Sequence, residues 1–181
     1  MLHPTVSGHN MRVVVTILLV FFTSIVFASE QTYDKLIYNS DTMYTDTYPL
    51  EKLLETDSLI SKRFYEYHDS VYRLSGCWIG QVIGTWLIKN DSLFLTDIKS
   101  GCEDITFNLD YIFGNEKVVN HQVFVYWYSG NLKAGFGKWI QFDFENWENI
   151  YSKTFDCLVK NGLVSNLTIT SKPEYESAPK E

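Results

Sequence analysis

With 181 residues, 45% of them hydrophobic, the chain is long enough to bury the core of one domain. Its net charge of −7 repels phosphate backbones and argues against a nucleic-acid partner, and no Lys/Arg cluster offers a patch for an anionic membrane. Phe, Tyr and Trp make up 16% of the residues, and such side chains favour pleated, half-buried surfaces, so the composition points to a β-rich protein.

Val13 to Phe27 is an apolar run without a charge, preceded by Arg12. It closes on Val26-Phe27-Ala28, with small residues at the two positions a signal peptidase reads. The run falls short of the roughly 20 apolar residues that span a bilayer. Residues 1–28 therefore read as a secretory signal peptide, with an uncleaved signal anchor as the alternative. Export to a periplasm or the outside follows, with no stable membrane anchor once the signal is cut. Cleavage removes one base and no acid and leaves a net charge of −8. Residues 29–170 then read as one β-rich domain. Beyond Ser171 the chain is Pro- and Glu-rich without an apolar period, so 171–181 is expected to be a disordered tail.

Within the domain, Asp34 to Tyr38 reads as a strand, Asn39-Ser40-Asp41 as a turn and Met43 to Tyr48 as a returning strand. Pro49 suits the first turn of a helix, and Leu50, Leu53 and Leu54 repeat at helical spacing over 49–56. The stretch 58–73 fits neither period and reads as loop with some helix. Ile79 to Lys89 and Leu93 to Ile98 form a hairpin about Asn90-Asp91, which sets Trp86 opposite Leu95, Leu87 opposite Phe94 and Ile88 opposite Leu93. Both faces of that ladder are apolar, the mark of a sheet covered on both sides.

Gln122 to Tyr128 and Leu132 to Phe144 are expected to pair about Ser129-Gly130-Asn131, with Tyr126 lying over Gly135 and Phe124 over Gly137. The last hairpin joins Tyr151 to Lys160 with Leu163 to Thr170 through Asn161-Gly162. The fold class is thus mainly β: an antiparallel barrel or sandwich of consecutive hairpins, with one or two short N-terminal helices.

Three cysteines, Cys77, Cys102 and Cys157, allow one disulfide in an oxidising compartment. Extending the first ladder makes Cys77 and Cys102 diagonal neighbours, about 7–8 Å apart, close enough to bridge if Gly101 bulges. Three reduced, buried thiols are the alternative.

Candidate binding residues come from the same pattern. Alternation along the strand through residue 144 puts Trp139, Gln141, Asp143 and Glu145 on one side, where an indole beside an amide and two carboxylates can stack on a sugar and bond its hydroxyls. A solvated edge-strand face explains the same residues without a ligand. The acids Asp143, Glu145 and Glu148 suggest a glycoside-type hydrolase as an alternative. No nucleophile elbow, phosphate loop or dinucleotide fingerprint occurs, and the mature histidines, His68 and His121, lie in separate segments. The expectation is therefore no catalytic residue, no metal and no cofactor.

The succession Asp34-Lys35-Leu36-Ile37-Tyr38-Asn39, Pro49-Leu50-Glu51, Trp86-Leu87-Ile88 and Leu93-Phe94-Leu95-Thr96-Asp97-Ile98 resembles a group of exported bacterial β-rich proteins of unassigned function. Val123-Phe124, Trp127-Tyr128-Ser129-Gly130 and Lys160-Asn161-Gly162 follow in the same order. The resemblance implies a shared β fold and transfers no active site. A weaker likeness to lipocalin-type barrels rests on Gly76-Cys77-Trp78 or Gly84-Thr85-Trp86. The leading functional expectation is a non-catalytic exported binding or interaction module, for a small molecule, a glycan or a protein partner. A structural cell-envelope component is a third possibility.

Overall fold

The structure, a computed structural model, describes residues 32–75, 82–101, 105–146 and 148–172, with backbone only for 71–75. The segment 1–28, Cys77, Cys102, Trp147 and residues 173–181 lie outside the described residues, and with them the signal peptide, the proposed bridge and most of the tail. All the described strands and helices belong to one compact unit, Thr32–Glu181.

Among the described residues nine strands share one sheet: β1 (Asp34–Tyr38), β2 (Asp41–Thr45), β3 (Val82–Lys89), β4 (Ser92–Ser100), β5 (Val118–Val119), β6 (Gln122–Phe124), β7 (Gly130–Asp143), β8 (Glu148–Lys160) and β9 (Leu163–Ser171). Pairing runs β3-β1-β2-β7-β8-β9-β4 and returns from β4 to β3, so the order closes on itself, while β6 and β5 continue outward from β4. The mainly β architecture expected from the sequence is present. One pairing departs from the antiparallel rule, since β1 runs parallel to β3 with Leu36 beside Trp86. Closure between β9 and β4 is thin. Ser92 faces Leu163, and backbone bonds run from Leu93 N to the Gly162 carbonyl and from Val164 N to that of Asp91.

Four of the hairpins turn through two residues of positive φ: Asn39-Ser40, Asn90-Asp91, Asn120-His121 and Asn161-Gly162. Asn tolerates that region because its short side chain bonds locally, and the resulting turn matches the strand twist. The expected register of β3 on β4 holds at Trp86–Leu95, Leu87–Phe94 and Ile88–Leu93, then slips by one residue below Trp86.

The expected pairing of Gln122–Tyr128 with the strand after Gly130 is not what forms. Residues 122–124 pair with β4 and β5, whereas β7 pairs with β2 and β8. Ser129-Gly130-Asn131 is a crossing point, held against the last hairpin by Gly162 N donating to Tyr128 O and by bonds between Ser129 and Asn161. Turn chemistry there resembles a hairpin; the long apolar alternation of β8 makes the better partner for β7.

Helix α1 (Pro49–Thr56) starts on a proline and buries Leu50 and Leu53. Helix α2 (Ser58–Ser75) occupies the stretch that fitted neither period. Asp57 caps it by accepting from Leu59 N and Ile60 N, and Ile60 and Phe64 enter the core one turn apart, with Tyr67 packed against it. A third, short helix, α3 (Leu109–Phe113), adds Ile112 and Phe113. Inside the ring the alternate residues Leu36, Met43, Trp86, Leu95, Leu132 and Phe155 are fully buried and fill the core. Among the described residues no helix is long and apolar enough to cross a membrane.

Candidate functional site

The far ends of β7 and β8 extend beyond the core. Here β7 carries an extra residue between Phe136 and Trp139, and another between Trp139 and Gln141. Gly137, with φ of 82°, makes the first kink possible. The second separates two of the candidate ligand residues. Trp139 faces Tyr151 and Gln141 faces Ile150, neighbours along β8 that point to opposite sides. Trp139 is 54% exposed and its indole N–H donates to Asn149 Oδ1 at 2.9 Å. Asp143 is engaged in the loop, where its carboxylate accepts from the backbone of Glu145 and from the backbone and side chain of Asn146. Those donors, Asn146 foremost, hold its pKa below the usual carboxylate value. A general acid needs the opposite shift. Glu145 is exposed beside it.

A different set of side chains converges next to Trp139. Tyr44 projects outward between buried Met43 and Thr45, and its strand partner is Gly135. Gly135 has no side chain, and the ring of Tyr151 lies over it so closely that an added Cβ would meet the ring. Tyr151 also stacks on Tyr44, ring centroids 5.9 Å apart and planes 16° from parallel. The sequence predicts an aromatic ring over this glycine; the ring comes from β8 and not from Tyr126. Tyr33, just ahead of β1, bonds to Asn149, which therefore joins Tyr33 to Trp139.

These groups line a cleft of about 50 Å³, together with Asp46, Lys133, Glu148 and Lys172. Lys133 Nζ lies 3.6 Å from Glu148 Oε2. Burial is the main cause that raises the Tyr33 and Tyr151 pKa values; Asp46 and Glu148 add to it for Tyr33, and the neighbouring tyrosines add to it for Tyr151. The phenols stay protonated donors across the physiological range. Of the sequence-derived candidates, Glu148 lines this cleft, Trp139 reaches it through Asn149, and Gln141, Asp143 and Glu145 are outside its lining. Sequence reasoning misses the tyrosines because they come from three strand ends. Gly135 is the one local signal of their meeting.

Two other reactive groups are built into the core. Asp34 is 3% exposed, and its carboxylate accepts from Gly84 N at 2.7 Å and from the indole N–H of Trp86 at 2.8 Å. Burial raises its pKa to about 7, despite the two donors and with Glu51 contributing. The Gly84-Thr85-Trp86 motif thus has a structural use: an added Cβ on Gly84 would press on both the carboxylate and the indole. Cys157 is 1% exposed, and burial with nearby Asp156 pushes its thiol up to about 11, far from the thiolate a nucleophile needs. Among the described residues no three His, Cys, Asp or Glu cluster to hold a metal.

Compared with protein-family models, curated proteins and solved structures, the chain finds no match in any of the three.

Proposed function

We propose that the chain is an exported, non-catalytic binding module that receives its ligand on the outer face of the sheet, in the tyrosine cleft. The observation that carries this reading is the convergence of Tyr33, Tyr44 and Tyr151 on one small cleft over Gly135, whose bare backbone gives the Tyr151 ring its place. The interior offers less, because large side chains such as Trp86, Phe107 and Phe155 fill it. At about 50 Å³ the cleft is far below the several hundred Å³ that enclose a whole small molecule, so it suits one projecting group of a larger ligand. The hydrolase alternative draws little support, since Asp143 is held as an ionised loop cap.

Two measurements test this. Mass analysis of the protein recovered outside the producing cytoplasm is expected to find a chain beginning at Ser29; a full-length chain retained in the cytoplasm contradicts export. Amide chemical-shift mapping with a mixed panel of a methyl hexoside, small peptides and phosphate is expected to place any saturable shifts on Tyr44, Gly135, Asn149 and Tyr151. Shifts centred on Asp143 and Glu145, or a hydrolysed glycoside, contradict the cleft as the site.

A further inference from the structure

We propose that the tyrosine cleft takes a cationic head group, an ammonium or guanidinium, held at Asp46 beside Tyr33 and the Tyr44–Tyr151 stack; this rests on the cleft being the binding site. Size is the first argument. A space of about 50 Å³ suits a head group of a few heavy atoms and is far below the several hundred Å³ that enclose a whole small molecule.

Charge is the second. Two carboxylates and two lysines line the cleft, and formally they cancel. They are not equally available. Lys133 is paired with Glu148 at 3.6 Å, which leaves Asp46 and Lys172 as the lining charges outside that pair. Asp46 is exposed and makes no ion pair with a Lys or Arg among the described residues. Its charge is felt inside the cleft, where with Glu148 it disfavours ionisation of the Tyr33 phenol. An anionic ligand meets that same repulsion.

The aromatic faces are the third. Ring quadrupoles place negative potential over each face, and a cation within about 6 Å of the ring centre is attracted by it. Tyr44 lines the cleft, is 41% exposed and has one face against Tyr151, so its other face is the one a cation would use. Trp139, exposed and fixed to Asn149, provides a rim for whatever carries the head group. The cation is either free or the end of a Lys or Arg side chain. Exposed ion pairs are weak, so affinity for the head group alone is low and salt-sensitive.

The test is an amide-shift titration of the labelled chain with methylguanidinium, methyl glucoside and two peptides, Gly-Arg-Gly and Gly-Gln-Gly, both N-acetylated and C-amidated so that the Arg side chain is the one cation between them. Both cations are expected to shift Tyr44, Gly135 and Asn149 saturably, with Gly-Gln-Gly inert and Asp46→Asn weakening binding about three- to fivefold. Asp46 is exposed, so the variant should keep the native spectrum elsewhere. Equal binding of methylguanidinium and Gly-Arg-Gly identifies a free head group; a peptide advantage lost in Trp139→Ala identifies a tethered one, and both support the proposal. If methyl glucoside moves those amides and the cations do not, the cationic class is overturned while the cleft stands. If every shift lies elsewhere, the cleft falls as well.

Discussion

Asp34, inside the sheet, and Asp143, at the outer tip of β7, each accept hydrogen bonds from backbone and side-chain donors, yet they titrate in opposite directions. Asp34 has two strong donors and is pushed up to about 7; Asp143 has donors of the same kind and is pulled down. Water makes the difference. Removing a carboxylate from solvent costs more than a pair of donors returns, whereas a solvated carboxylate keeps the whole benefit of each donor. Both acids serve structure: one ties β1 to β3 and the other shapes a loop. The proposed binding surface lies elsewhere, where Tyr33, Tyr44, Tyr151 and Asp46 line one cleft.

That contrast can be broken at the inner end first. Trp86→Ala removes a fully buried indole and one of Asp34's donors, and should cost at least about 3–5 kcal/mol in urea denaturation at pH 7. Next comes the pH dependence of Asp34. Because its folded pKa lies above the ordinary 3.8, its stabilising contribution is full below about 3.8 and is lost as pH rises through about 7. The shift corresponds to a contribution on the order of 4 kcal/mol, at about 1.4 kcal/mol per pKa unit. Denaturation of wild type and Asp34→Asn at pH 5 and pH 8 should show wild type losing stability relative to the variant at the higher pH. A parallel pH response places the charge in solvent.

The outer end sharpens the comparison with smaller effects. Gly135→Val must displace the Tyr151 ring, and overpacking of this sort costs about 1–3 kcal/mol; a half-buried ring that can swing outward puts the value near the low end. The same variant should lose the Tyr44–Tyr151 stack, visible as a change in near-ultraviolet circular dichroism. Smallest of all is Asp143→Asn, for which the denaturation midpoint at pH 7 should stay close to the wild-type value, since the half-exposed side chain bonds only within its own loop. A large loss there would mean that the loop supports the core.

Local chemistry makes much of the fold readable. Asn90-Asp91 and Asn161-Gly162 announce their hairpins, and the register from Trp86 to Ile88 follows from turn length alone. Helix α2 is obscured because Leu59 and Tyr65, both more than half exposed, interrupt the helical spacing of Ile60, Phe64 and Tyr67. Long-range pairing is the harder problem. Nothing within Gln122–Phe124 states that it joins β4, and nothing in β1 states that it lies parallel to β3. The candidate site suffers from the same blindness. Trp139 and Gln141 alternate in sequence, but an inserted residue opposite β8 turns one away from the other. Tyr33, Tyr44 and Tyr151 share no local pattern and meet only once β1, β2, β7 and β8 are assembled.

The division between a structural acid inside and a proposed binding cleft outside comes down to one titration: end-capped Gly-Arg-Gly added at pH 7 to labelled Asp34→Asn and labelled Tyr44→Ala, with amide shifts read at Gly135 and Asn149. The expected result is saturation in Asp34→Asn as in wild type and its loss in Tyr44→Ala, with the remaining spectrum of Tyr44→Ala unchanged. Undiminished saturation in Tyr44→Ala would contradict the tyrosine cleft as the place where the ligand sits.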